Sequence, residues 1–244
     1  FNCVAAWSAV PLTIRMFATI RDKRSLYFRA TLISSWGLSL RSSAYLIGYF
    51  GIRYIPWQFY ITLSQIGYVC MVSGFAVVLW SRLGLIYGNE RVKNGLKYVI
   101  IFNTVVWHPI LTIFVMILTA ERRPQPQPPT DLYRSVRDIN EGIEYAQLWC
   151  FTCTEILLSS VYIWAAFVYL RDFSQLGSTS TRAKARRAII LLITIQAVVI
   201  FIDAAIITID MLGLQQLKRM INSFIYCAKL ELEFLVLNQL IEIS

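Results

Sequence analysis

The sequence predicts an all-α fold: a polytopic integral membrane protein forming one domain, 1–244, a bundle of seven transmembrane helices with the N-terminus outside and the C-terminus cytoplasmic. Three observations carry that expectation. Apolar stretches of roughly 18 to 30 residues recur seven times, each near or above the ~20 needed to cross a bilayer. Only 15% of the residues are charged, against about 25% in a soluble domain, and the mean hydropathy is +0.57. The last stretch carries Lys229, Glu231 and Glu233 in its interior. Charges at that depth are costly unless they are paired or face a polar cavity, so a bundle has to close around this helix.

The spans are read in order as 1–20, 27–50, 57–87, 95–119, 146–170, 188–212 and 220–243. The first opens directly in apolar sequence, with no signal-peptide n-region, and is expected to be truncated at its start. The third is long enough to tilt or to project beyond the bilayer. Tyr27, Trp57, Tyr145, Trp149 and Tyr169 near span ends match an aromatic belt. Between spans four and five lies a Pro-rich outer loop, 120–145. Its clustered prolines, 124–129, stiffen the chain toward polyproline II. After Thr130-Asp131, a plausible N-cap, Leu132, Val136, Ile139 and Ile143 fall on one helical face. A short amphipathic helix leading into span five and an extended start to that span both remain open.

The connections set the orientation. Fourteen basic residues flank one side: five from Arg15 to Arg29, four from Arg82 to Lys97 and five from Arg171 to Arg187. Seven flank the other: Arg53, Arg122, Arg123, Arg134, Arg137, Lys218 and Arg219. The richer side is expected to be cytoplasmic. In this scheme Arg82 is a positive-inside anchor at the end of span three. The net charge of +9 then reads as topology and contact with anionic lipid, not as a nucleic-acid surface. The membrane itself is expected to be the plasma membrane or an endomembrane.

Five spans carry an ionisable group well inside: Arg41, His108, Glu155, Asp203 and Lys229. Each lies about nine or ten residues from the outer end of its span, roughly 14 Å deep. The charges nearly balance. Glu233 shares a face with Lys229, while Glu231 points elsewhere; Gln196 and Asn103 add neutral polar groups to the network. Pro109, after His108, is expected to kink span four and free a carbonyl. Such a layer can be a pocket that binds a small molecule or relays ions, or a lock of ion pairs that fixes helix register.

Several chemistries find no support. The five cysteines are odd in number and lie in apolar segments, so no disulfide framework is implied, and Cys150-Phe-Thr-Cys153 reads as small residues at a helix interface. Gly84-Leu-Ile-Tyr-Gly88 is a weak helix-dimer pattern at the membrane edge. Lys229 in a seventh helix suggests a retinal Schiff base, but 57–87 contains no Asp or Glu and position 225 is Ile. No phosphate loop, metal cluster or nucleophile elbow occurs, so no metal and no cofactor is expected.

Four segments carry a family resemblance: Arg24-Ser-Leu-Tyr-Phe28, Ser81-Arg-Leu83, Glu155-Ile-Leu-Leu-Ser-Ser-Val-Tyr-Ile163 and Tyr226-Cys-Ala-Lys-Leu-Glu-Leu-Glu-Phe-Leu-Val-Leu-Asn238. With these the chain resembles an uncharacterised family of filamentous-fungal seven-transmembrane proteins catalogued only as a domain of unknown function. The resemblance implies a fungal origin, a single heptahelical domain and often a cytoplasmic tail, and it implies no activity. It marks Glu155, Lys229 and Glu233 as motif positions. Relatives tend to carry an acidic residue where this chain reads Ser8-Ala-Val-Pro11.

The function expected is that of a receptor-like protein. It would bind a small molecule or lipid in an outer-half polar pocket lined by Arg41, His108, Glu155, Asp203 and Lys229, with a cytoplasmic signalling partner at the basic loops. The alternatives are a transporter or proton-coupled carrier, a membrane-embedded enzyme acting on a lipid or terpenoid, and a scaffold with a structural lock.

Overall fold

The computed structural model of the chain describes residues 2–20, 22–50, 56–86, 89–120, 131–176 and 179–243. The Pro-rich run, Thr130, Arg53 and Gly88 lie outside these residues, as do the side chains of the basic cluster 171–187.

Where no water reaches the backbone, each N–H and C=O has to be satisfied within its own segment, and a helix does this. The described residues form seven: α1 (Asn2–Thr19), α2 (Leu26–Tyr49), α3 (Trp57–Ile86), α4 (Glu90–Ala120), α5 (Asp131–Leu176), α6 (Thr179–Met211) and α7 (Gln215–Ile243). No strand occurs among them. Ser25 caps α2, its hydroxyl accepting the N–H of Phe28 at 3.3 Å. Gly213, at φ 70°, ends α6 in a left-handed turn; the N–H of Leu214 reaches the carbonyl of Ile209 and that of Gly213 the carbonyl of Asp210. Helix α4 continues through Pro109 without a break; that proline brings no N–H to the Val105 carbonyl.

Four helices contain stretches long and apolar enough to cross a membrane: Trp57–Gly84, Glu90–Ala120, Tyr133–Ala165 and Ile190–Met211. The chain is a membrane protein. α1, α2 and α7 carry more polar residues, and among the described side chains those of α2 and α7 largely face inward. Ser34, Ser35, Arg41 and Ser42 of α2 and Ser223, Lys229 and Glu233 of α7 are buried, while Trp7, Trp36, Phe102, Val105, Phe167 and Phe201 are exposed. A polar interior behind an apolar exterior is the arrangement a bilayer demands.

Sequence neighbours pack as spatial neighbours, α7 lies against α1 to close the ring, α3 also meets α5, and α2 meets α7. The tightest seam joins α2 to α3. A Cβ on Gly67 would lie 2.6 Å from the backbone nitrogen of Arg41, one on Gly37 2.6 Å from Cβ of Cys70, and one on Gly74 2.9 Å from Cβ of Ser34. Small residues let two membrane helices approach to backbone contact. This seam is where that device operates in the described part of the chain; the Gly84–Gly88 pattern reaches beyond the described residues.

Helix α5 has 46 residues, about 69 Å of helix against a hydrocarbon core of about 30 Å. The stretch 131–145, expected within the outer loop, is its first four turns. Of the expected apolar face, Val136 and Ile143 are half-buried, Ile139 is 51% exposed and the Leu132 side chain lies outside the described residues, while Asn140 is buried. Along these turns Arg137 Nε donates to Glu141 at 2.9 Å and Asn140 to Glu144 at 2.8 Å.

Candidate functional site

The site begins with helical periodicity on α7. Ser223, Tyr226, Lys229, Leu230 and Glu233 are all buried, spaced three, four and seven apart along one face. Two stripes face it. On α6 they are Gln196, Asp203 and Asp210, and on α5 Gln147, Glu155, Ser159 and Tyr162. Side chains from three helices therefore converge on one interior.

At the centre the Lys229 ammonium pairs with two carboxylates. Its Nζ is 2.7 Å from Oε2 of Glu155 and also pairs with Oδ1 of Asp203. The Tyr226 hydroxyl donates to the other Glu155 oxygen at 3.2 Å. The same ammonium lies 4.8 Å from the Tyr226 ring centroid and 5.4 Å from that of Phe75. One cation thus ties α7 to α5 and α6 and rests on an aromatic ring of α3.

One turn further along α7, Glu233 forms the second cluster. It pairs with Arg82 of α3, and its Oε1 accepts from Gln196 Nε2 at 2.7 Å. Gln196 in turn accepts from Ser159 at 2.7 Å. The Arg82 guanidinium lies 5.1 Å from the Tyr162 ring centroid and donates to its hydroxyl at 3.3 Å. Arg82 is 1% exposed, so it is no anchor at the membrane edge. The expectation failed because hydropathy registers a charge near a helix end but not the carboxylate waiting for it on another helix. Charge counting held no signal either, because only the fold shows that Glu155 and Asp203 share Lys229 and leave Glu233 for another cation. The space lined by Leu79, Arg82, Leu158, Ser159, Tyr162 and Gln196 admits no water molecule.

The third cluster lies across α2, α3, α4 and α5. His108 is buried, with Nε2 3.0 Å from Ser73 Oγ and Nδ1 3.3 Å from the Gln147 amide nitrogen. The Gln147 amide donates, so Nδ1 accepts and Nε2 carries the proton to Ser73. The Tyr68 ring stands edge-on to the imidazole at 5.5 Å, and Phe151 lies 5.1 Å from it. Arg41 also lies on Tyr68, its guanidinium 4.2 Å from the ring centroid and donating to the Tyr45 hydroxyl at 3.2 Å.

The five ionisable groups expected at one depth therefore divide. Glu155, Asp203 and Lys229 meet directly; Arg41 and His108 gather around Tyr68. Phe151, against the imidazole, is one turn of α5 before Glu155, and both are buried, so α5 joins the two sets. Of the expected polar network, Gln196 and Glu233 belong to the second cluster. Asn103 is separate, donating to Thr154 at 2.7 Å. Glu231 faces away and pairs with Arg15 of α1 at 3.1 Å, half in the open. Cys153 is exposed and Cys150 half-buried, both as free thiols. Among the described residues no group of three or more His, Cys, Asp or Glu is placed to hold a metal ion.

A chain of buried polar and aromatic groups can thus be followed from Arg41 through Tyr68, His108 and Phe151; one turn of α5 carries it to Glu155 and Lys229, and one turn of α7 on to Glu233 and Arg82. It can hold charges in a dry interior and couple helix positions. No curated protein and no solved structure matches the chain. A match over residues 1–244 places the chain in a protein family: it belongs to the one described as Domain of unknown function (DUF7703).

Proposed function

We propose that this is a receptor-like heptahelical protein in which all seven helices cross the membrane, N-terminus outside and C-terminus cytoplasmic. The packing of α1, α2 and α7 into the same ring as the four apolar helices supports seven spans. Their outward positions, such as Trp7, Trp36 and Leu235, are apolar and exposed. The balance of basic residues supports the orientation. Resemblance to filamentous-fungal proteins supports a plasma membrane or endomembrane of a fungus.

The observation that carries the receptor reading is the continuity of the buried chain from Arg41 to Arg82. In this reading a small molecule enters the outer half at the Arg41–His108 cluster and shifts Tyr68, His108 and Phe151, the last one turn from Glu155 on α5. The Lys229 pairs then rearrange, and the Arg82–Glu233 pair between α3 and α7 opens toward a partner at the basic loops. The ligand acts only through its preference for one of two packings. Native mass spectrometry of the protein in mild detergent tests it, with wild type beside Glu155→Gln and Lys229→Met. A discrete small molecule held by wild type and lost in both variants is the expected result. If nothing is retained and the variants are merely less stable, the clusters are a structural lock and the reading fails.

A second reading, a proton-coupled carrier, is favoured by one feature. A single ammonium serves two buried carboxylates, so that centre has one acid more than its cation can balance. Substrate uptake into proteoliposomes driven by a proton gradient, and lost in Asp203→Asn, would establish it.

A further inference from the structure

Three cations are buried among the described residues, and they are not equivalent. Lys229 has two carboxylates and Arg82 has one. Arg41 is 7% exposed and has no carboxylate within 4 Å among the described residues. Its Nε and Nη1 are buried and reach no hydrogen-bond partner among the described residues. Only Nη2 is committed, to the Tyr45 hydroxyl. An interior guanidinium left in this condition is costly unless something else satisfies it.

The geometry restricts what that can be. The Tyr68 ring takes one face of the guanidinium at 4.2 Å, and Tyr45 lies 5.5 Å away. Stacking leaves the edges free, and both edges keep open N–H donors. A planar fork with its face covered and its edges open is suited to a carboxylate or phosphate oxygen pair. His108 cannot supply this site with a further donor, because both its nitrogens are engaged by Ser73 and Gln147; it positions Tyr68 instead. The nearby Glu144 carboxylate is held by Asn140 and does not reach Arg41. The Arg41 backbone is fixed by the Gly67 seam, so the fork has little freedom to seek another partner. Eight residues, about 12 Å, separate Arg41 from the end of α2. Over that distance burial gives way to exposure at Gly48 and Tyr49, and Gln58 and Phe59 are exposed at the start of α3.

We propose that Arg41, backed by Tyr45 and Tyr68, is the binding site for an anionic group, a carboxylate or phosphate. This rests on the receptor reading for its consequence, since it names the chemical class of that ligand. The anion can come from a free small molecule or from an anionic lipid headgroup, and the test separates the two.

The full chain is purified in an uncharged detergent and its unfolding midpoint followed at constant ionic strength. One arm titrates inorganic phosphate and acetate against chloride. The other titrates phosphatidic acid against phosphatidylcholine in mixed micelles. A saturable rise of the midpoint in one arm is expected, with apparent affinity about tenfold or more weaker in Arg41→Gln, the loss of a charge-assisted bond. The responding arm identifies the source. If Arg41→Gln does not fold, Arg41→Lys keeps the charge without the fork and is expected to bind several-fold more weakly. No saturable response in either arm, or the same affinity in wild type and the Arg41 variant that folds, overturns the proposal. Glu233→Gln separates it from the receptor reading. Anion affinity that depends on Arg41 but ignores Glu233 keeps the site and removes the coupling, because linkage between sites is reciprocal. An uncharged molecule retained in mass spectrometry with no anion response does the reverse.

Discussion

At the residue scale, the buried ion pairs outweigh the neutral hydrogen bonds around them. Removing one partner of a buried pair strands the other charge and costs about 3–5 kcal/mol. An interhelical hydrogen bond between neutral side chains in a bilayer averages about 0.6 kcal/mol. Lys229→Met leaves Glu155 and Asp203 facing each other without their cation, and is expected to lose stability in the first range. The triple variant with Glu155→Gln and Asp203→Asn is expected to recover much of it. Asn103→Leu removes only the bond to Thr154 and is expected to cost less than about 1 kcal/mol. Unfolding by SDS titration in mixed micelles measures all three.

The sequence places each residue along its span but not around it. Counting from the expected span ends puts Arg41, His108, Glu155, Asp203 and Lys229 at one level; the helices overrun those ends, α5 beginning 24 residues before Glu155. Nor can the count say that Tyr68 lies against both Arg41 and His108, because that depends on which helices are neighbours. Glu231 follows from periodicity alone: two residues from Lys229 is more than half a turn round, so it leaves the interior and meets Arg15. Arg82 did not follow, since its burial depends on a carboxylate 151 positions later in the chain.

At the scale of elements, the apolar stretches correspond to helices, and the differences lie at the ends. The helix at 131–145 is continuous with span five because nothing between Asp131 and Leu176 breaks it: no proline occurs there. The α2–α3 seam was hidden because Gly37, Gly67 and Gly74 lie at separated points of two stretches, and only their apposition makes them a motif. Gly67→Ala drives a methyl group against the Arg41 backbone, which cannot yield as a flexible side chain would. It is expected to cost about 1–3 kcal/mol in the same titration, as overpacking does. Gly95→Ala, where a Cβ meets nothing within 4 Å, is expected to lose nothing.

At the scale of the molecule, the ring places apolar side chains outward and polar ones inward, and the proposed orientation rests on the basic connections. In a background with the five cysteines replaced by serine, Gln58→Cys is expected to react with an impermeant maleimide on intact cells. Asn94→Cys is expected to react only after permeabilisation. The opposite pattern inverts the topology, and reaction of both on intact cells removes a span. The whole arrangement depends on α7, whose charged face binds α3, α5 and α6 at once. The most direct measurement of that claim is a double-mutant cycle on Arg82→Met and Glu233→Leu by SDS titration. Each single variant is expected to lose about 3–5 kcal/mol and the pair far less than the sum, a coupling of a directly paired, buried ion pair. Losses that are each within about 0.5 kcal/mol and strictly additive would mean that Arg82 is a surface charge, and the buried polar chain would end at Lys229.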